Sequence, residues 1–409
     1  MEIHLSSMPS QISTASKLLK TVRYINLYST LLLAVELVLY INIIQVITVF
    51  VAVLSYVIET ILEKKWQHFR WENSLKQGFF ITIIFYFLLQ FIFLSFEKNN
   101  SYFVRFLLER LPFLIFGVVG LLGVNKYYNL RLFAWAFIAT SFFVGVFLLS
   151  HLNAEILSRN DRNGLFGLIR IAYVNSHMKF NYYLNLSLIF GYYLLAYTAI
   201  LKNLRLKIAI AIGFVVIVLN LFLSDGRTGM LSSFVLLTVF IFRYFWQKSR
   251  LLTLISTTIF LLVAITLIDH NPRLSESNIK REPRQEIWRV SVEQVKASHF
   301  MGTGVSTNAY IMLPEYSKIG EAEYAHAHNV FLQSTLEYGV LGFVTILFLF
   351  FSAYYSVSSR FRFIMSLVCF ITLAQLLVGD FEWEINPIVF LLVVILVVHQ
   401  DSLDASEPV

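Results

Sequence analysis

HAHNVFLQSTLEYGVLGFVTILFLFFSAYY, residues 326–355, places two histidines and an asparagine in front of a long apolar run that also holds a glutamine and a glutamate. A helix here is far longer than a membrane span requires. Asn329, Gln333 and Glu337 recur every four residues and form a narrow polar stripe on it. Glu337 lies about nine residues in, roughly 14 Å at about 1.5 Å per residue. A carboxylate at that depth faces a protein interior or a wet cavity. The stretch therefore predicts a membrane helix whose first turns face protein, with a histidine at the water line. Gly339 and Gly342 are expected to let a neighbouring helix approach closely.

The rest of the chain agrees. Its 409 residues are 57% hydrophobic and 14% charged, with 39 phenylalanines. Mean hydropathy is +0.70. Soluble domains are nearer about 25% charged, so the composition predicts an all-α, polytopic membrane protein. Twelve apolar stretches are expected to span: 22–40, 42–62, 78–96, 106–125, 131–150, 181–200, 207–224, 229–246, 251–269, 328–355, 362–379 and 385–400. This divides the chain into helices 1–9 within 1–269, a large and partly helical loop at 270–327, helices 10–12 within 328–400, and a polar tail at 401–409. The polar first 20 residues show no cleavage pattern, so the first apolar run is expected to stay as an anchor.

Basic residues orient the bundle. Lys17, Lys20 and Arg23 precede the first span, and Lys64, Lys65, Arg70 and Lys76 follow the second. Lys126 and Arg131, then Lys202, Arg205 and Lys207, then Arg243, Lys248 and Arg250, then Arg360 and Arg362 mark later even-numbered connections. This is the positive-inside pattern with both termini in the cytoplasm. The formal charge of +7 is spent there, and no basic cluster with exposed aromatics points to nucleic acid. Cys369 is the only cysteine, so there is no intrachain disulfide and no cysteine metal site.

The odd connections are external, and two are long: 151–180 and 270–327. Three external segments carry the sharpest polar groups. LSDGRTGML (223–231) pins Arg227 in a very short turn. REPRQEIWRVSVEQVKASHFMGTGVSTN (281–308) reads as an amphipathic helix followed by a glycine turn, with Arg284 and Trp288 four apart on one face. HAHN closes the same loop. Guanidinium groups fork onto phosphate oxygens. An imidazole accepts a proton near neutral pH. Two arginines and a histidine at one water line suit a lipid-linked diphosphate donor attacked by a sugar hydroxyl, with no nucleotide required.

Other polar residues carry weaker readings. His326 is a candidate for orienting substrate. Asn329, Gln333 and Glu337 read as an interhelical seam, and Trp288 as a packing or interfacial anchor. Arg281 and Arg289 read as solvated or structural, and Asp380, Glu382 and Glu384 as a wet external turn. Arg159, Arg162, Arg170 and His177 have no spacing that assigns them a role. No residue cluster has metal-ligand spacing, and no phosphate-cradling glycine loop ends in Lys-Ser/Thr. A secondary transporter would place ionisable residues near the midplane and show inverted repeats. Here the sharpest ionisable residues lie at one face, and no repeat is visible.

HNVFLQSTLEYGVLG (328–342) resembles the signature of bacterial O-antigen ligases: His, then Asn, Ser or Gln, nine residues, and Gly-x-x-Gly. SDGRTGML is similar to the family's short arginine turn, PRQEIW to its Arg-x-x-x-Trp helix, and MGTGVSTN to the Gly-x-Gly that follows. The family often continues Thr-Val where this chain has Phe343-Val344. The resemblance implies an inner-membrane, inverting glycosyltransferase with a periplasmic site, needing no cofactor, metal or ATP. The implied donor is an undecaprenyl-diphosphate-linked glycan. The implied acceptor is lipid A–core, or another lipid-linked glycan if the chain is a polymerase, and membrane lipids surround it. His328 is implied as the base, with Arg227 and Arg284 on the donor diphosphate and His326, Asn329, Trp288 and Glu337 in support. Polymerases are often described by two Arg-x15-Gly motifs. Here Arg284 and Arg289 are followed at that spacing by Phe300 and Val305, which tilts the reading toward a ligase.

Overall fold

The computed structural model describes residues 8–39, 42–68, 74–93, 100–150, 177–198, 203–224, 226–269, 284–319, 326–379 and 387–406. Those residues form fourteen α-helices, one short 3-10 turn and no strand. In chain order they are α1 Met8–Leu39, α2 Asn42–Glu63, α3 Ser74–Ile92, α4 Asn100–Leu122, α5 Leu130–Ser150, α6 His177–Tyr197 and α7 Leu204–Leu223. There follow α8 Arg227–Trp246, α9 Arg250–Asp269, α10 Arg284–Ala297, α11 Val305–Lys318, α12 Val330–Tyr355, α13 Ser359–Leu376 and α14 Pro387–Ser406.

Every one of the twelve apolar stretches falls on a helix. By length and composition, α1, α2, α5, α7, α8, α12 and α13 can cross a membrane, and α3, α9 and α14 hold shorter apolar runs. α4 carries Arg105, Glu109 and Arg110, and α6 carries His177, Lys179, Asn181 and Asn185. The remaining two helices, α10 and α11, lie inside the 270–327 loop. The amphipathic helix and glycine turn expected there are present, whereas α11 has no counterpart in the sequence reading. Most of the 151–180 loop, residues 270–283 and the acidic turn at 380–386 lie outside the described residues.

α6 is the post of the bundle. Tyr182 to Ile189 are all fully enclosed, by α5, α7, α8 and α13. A helix buried on every side carries no polar face to solvent, so its asparagines serve neighbouring backbones. α14 is equally enclosed from Val389 to Val397. It continues through Ser406, into the stretch read from sequence as a tail. Buried Asp401 explains this: it accepts the Ser358 N–H at 2.8 Å and the Ser358 hydroxyl at the start of α13.

Side-chain contacts sort the helix ends into two groups. Arg23 pairs with Glu59 at 3.1 Å and with Glu63, and Lys65 pairs with Glu59 at 3.3 Å. Lys65 also reaches the Gly123 carbonyl at 3.0 Å. Thr30 meets the Tyr128 hydroxyl at 3.0 Å, and His399 packs edge-on to Tyr128. These link the middle of α1 and the beginning of α5 with the ends of α2, α4 and α14. Tyr197 against Phe361 adds the end of α6 and the beginning of α13. The beginnings of α6, α8 and α12 consequently lie at the other end, away from this cluster of ion pairs.

α12 is not continuous. Gly339 has φ 62° and ψ −152°, a conformation essentially reserved for glycine. The break removes two helical donors from the Leu336 and Glu337 carbonyls. The glycine turn of the preceding loop replaces them: Thr303 N–H bonds Leu336 O and Gly304 N–H bonds Glu337 O, each at 2.9 Å. Val340 N–H in turn bonds Phe300 O at 3.0 Å. The expectation for Gly339 is corrected here. It admits the backbone of its own chain's loop, not a neighbouring helix. A Cβ on it would stand 2.2 Å from Phe300 O, and a Cβ on Gly302 2.5 Å from Gly339 N.

Gly339→Ala meets both the forbidden conformation and the loop backbone. We expect a loss of about 3 kcal/mol or more, read as a fall in the thermal unfolding midpoint and in the yield of folded protein in detergent. Val340→Ala is the control and should change little.

Candidate active site

α6 gathers the two arginine segments. Its Asn181 accepts from the Ser224 hydroxyl at 2.7 Å and donates toward Gly226 O at 3.4 Å. Asn185 donates to Gly229 O at 2.9 Å. The short turn between α7 and α8 is thus nailed to α6, and Gly229 lets α8 close onto it, since a Cβ there would lie 2.4 Å from that of Asn181. Arg227, the first residue of α8, is held half-buried on this fixed turn. One turn toward the start of α6, Met178 Sδ lies 3.7 Å from an Arg284 nitrogen. Met178 and Asn181 are three apart and share a face. The Arg227 turn and Arg284 therefore both sit against the start of α6, on separate elements, both arginines half-buried.

The histidines arrive on α12. His328 precedes the N-cap Asn329, whose side-chain oxygen accepts from Phe331 and Leu332 N–H at 3.0 and 3.1 Å. The Asn329 amide nitrogen reaches Leu377 O at 3.1 Å, tying this start to the end of α13. His328 is 5% and His326 6% exposed, and their ring centroids are 4.0 Å apart. His328 has φ 48°, a left-handed conformation that costs a non-glycine residue of order 1–3 kcal/mol. The backbone between the rings is clamped from both sides. Trp288 donates its indole N–H to Ala327 O at 3.0 Å, and Gln333 accepts the Ala327 N–H at 2.9 Å. Since Trp288 is one turn from Arg284 on α10, the same helix carries an arginine to Met178 and an indole to the histidines.

Gln333 is itself held. Its amide donates to Glu337 at 2.6 Å, and Glu337 pairs with Arg110 of α4 at 2.7 Å. Arg110 also bonds the Tyr338 hydroxyl and lies over the Tyr86, Phe106 and Tyr338 rings. Both charges are at most 1% exposed. The polar stripe is thus a line of support running from a buried ion pair up to the histidine backbone.

Each residue singled out from sequence and lying within the described part can now be placed. Arg227, Arg284, Trp288, His326, His328 and Asn329 come together at the end formed by the starts of α6, α8, α10 and α12. Glu337 sits below as part of the support. Arg289 is an exposed partner of Glu286 and Glu293, as expected of a solvated residue. Asp225 and Arg281 lie outside the described residues. Sequence reasoning missed Arg110, Asn181 and Asn185. Arg110 had a usable signal: an arginine inside a predicted apolar span (106–125) must find a partner within the protein. Among the described residues no group of histidine, cysteine and carboxylate side chains has the arrangement of a metal site.

Residues 212–347 match the O-antigen ligase family. The matched stretch contains both arginines, Trp288, both histidines, Asn329 and Glu337, and leaves out Arg110. No curated protein matches the chain.

Arg110→Ala leaves Glu337 as an uncompensated buried charge, and we expect a loss of about 3–5 kcal/mol. The doubly neutral Arg110→Leu, Glu337→Gln keeps the bond to Gln333 and should recover most of it. Thermal unfolding of the purified variants in detergent decides: equal midpoints for the single and double variants would show that the charge pair does not carry this support.

Proposed function

We propose that this chain, of the O-antigen ligase superfamily by residues 212–347, transfers a glycan from undecaprenyl diphosphate to lipid A–core. It does so at the outer face of the bacterial inner membrane, in a bundle of twelve crossings. One observation carries the reading. The two half-buried arginines and the strained histidine lie toward one end of the bundle, opposite the Arg23–Glu59–Lys65 ion pairs, and the positive-inside rule supports reading that second end as cytoplasmic.

The chemistry follows from residue types. A hydroxyl of the acceptor attacks the anomeric carbon of the donor's first sugar from the side opposite the diphosphate. The new C–O bond forms as the bond to the phosphate oxygen breaks, so the configuration inverts. His328 takes the hydroxyl proton. Undecaprenyl diphosphate leaves with the bonding electron pair, and Arg227 and Arg284 stabilise its growing charge. Permanent guanidinium charges suit that task, and the donor's own phosphoester bond supplies the driving force. Neither metal nor ATP enters. Arginines fixed on separate elements hold the leaving group, while the clamped backbone around Ala327 holds the base. His326, packed on His328, supports its ring.

Purified protein in lipid vesicles, given an undecaprenyl-diphosphate glycan and lipid A–core, should place glycan on lipid A–core in buffer containing chelator and no ATP. His328→Ala and Arg227→Ala should each lower the rate by about 100-fold or more and leave the protein folded. Longer glycan remaining on undecaprenyl diphosphate would replace the ligase reading with a polymerase. Full activity of His328→Ala would remove the histidine from the role of base. Absence of transfer to either acceptor would point to protein acceptors and then to a transporter.

A further inference from the structure

Gln375 is 1% exposed on α13, and neither its amide nitrogen nor its amide oxygen meets a hydrogen-bonding partner among the described residues. Other enclosed amides differ. Gln90 bonds Phe87 O, Gln333 bonds Glu337, and Asn185 bonds two carbonyls. A buried primary amide with both ends unmet is costly, and native proteins keep one where something else completes it.

Its neighbours locate it. One turn below, Thr372 Oγ1 lies 2.9 Å from the Tyr182 hydroxyl of α6. Two residues above, the Leu377 carbonyl accepts from Asn329, the residue after His328. α6 and α13 run antiparallel, as the Tyr182–Thr372 and Tyr197–Phe361 contacts show. The turn of α6 beyond Tyr182 carries Met178, which touches Arg284. Gln375 thus stands on the α6-facing side of α13, between the His328 and Arg284 sides of the site.

A diphosphate offers acceptors only, and arginines match it. An amide offers a donor and an acceptor side by side, the complement of a sugar hydroxyl or acylamino group, which also does both. We infer that Gln375 contacts the first sugar of the lipid-linked donor, the one joined to diphosphate, and that it is a specificity-determining residue. This rests on the transferase reading above. The residue lies outside the 212–347 stretch.

The test uses the reconstituted full chain with the same donor and acceptor. Gln375→Leu should raise the donor KM or lower kcat/KM by about 10-fold or more. Its thermal midpoint should be unchanged or raised, because an unmet buried amide has been removed. Gln375→Met, closer in shape, gives the same readout if the leucine variant fails to fold. Unchanged donor kinetics with a raised midpoint would show that the amide is merely packed, and would overturn the inference. A fall in midpoint in both variants would make it a structural residue and overturn it equally. His328→Ala runs alongside. If it abolishes transfer while Gln375→Leu behaves as wild type, this inference fails and the transferase stands. If wild type transfers nothing, both fall together.

Discussion

Three backbone hydrogen bonds between the turn at 300–304 and the broken helix α12 hold the structure's functional end together. Inside a bilayer every peptide group must be satisfied, and an interruption is tolerated only where other protein supplies the missing partners. Here the partner is the loop that also carries Arg284 and Trp288. The break therefore does two things at once. It ends the first segment of α12 about three turns below His328, and it fixes α10 beside the histidines. The glycines of the signature are needed because backbone meets backbone, with no room for a Cβ on either Gly302 or Gly339.

The site is made of helix beginnings, which explains how one bundle end can be both rigid and polar. Arg227 opens α8, Arg284 opens α10, and His328 stands just before the cap of α12. Each beginning is secured by another element: the Asn181 side chain for the first, the Met178 side chain for the second, and the Leu377 carbonyl and the Trp288 indole for the third. The polar groups left over after capping and clamping are those assigned to substrate. Buried support replaces solvent in holding them, consistent with a site that must work in contact with a lipid.

Much of this was legible in the sequence, and for a definite reason. Long apolar runs have few alternatives to helix, so each of the twelve falls on a helix, seven of them long and apolar enough to span by themselves, and the four-residue stripe Asn329, Gln333, Glu337 pointed to an α12 that faces protein. The loop segments drew attention to Arg227, Arg284 and His328 through residue chemistry and spacing, and the fold brings the helix starts that carry them to one end of the bundle. What escaped was long-range pairing. Nothing local says that Arg110 meets Glu337, that Asn181 holds the Gly226 turn, or that Gln375 is enclosed with its amide unmet, because each depends on which helix packs beside which. The role of Gly339 escaped for the opposite reason: a helical pattern hides a break whose cause is another segment's backbone. α11 also went unread, its stretch being neither long enough nor apolar enough to stand out, with Pro314 inside it.

The stitched break has a consequence for how the protein is made. Ribosomes deliver residues 284–304 before residues 330–355, so the turn exists before the helix that needs it. Had the order been reversed, the Leu336 and Glu337 carbonyls would enter lipid bare and wait for a loop not yet synthesised. With the order as it is, the upper segment of α12 can dock on a finished turn as it leaves the insertion machinery. Chain order thus acts as a chaperone for the one place where this membrane helix cannot satisfy itself.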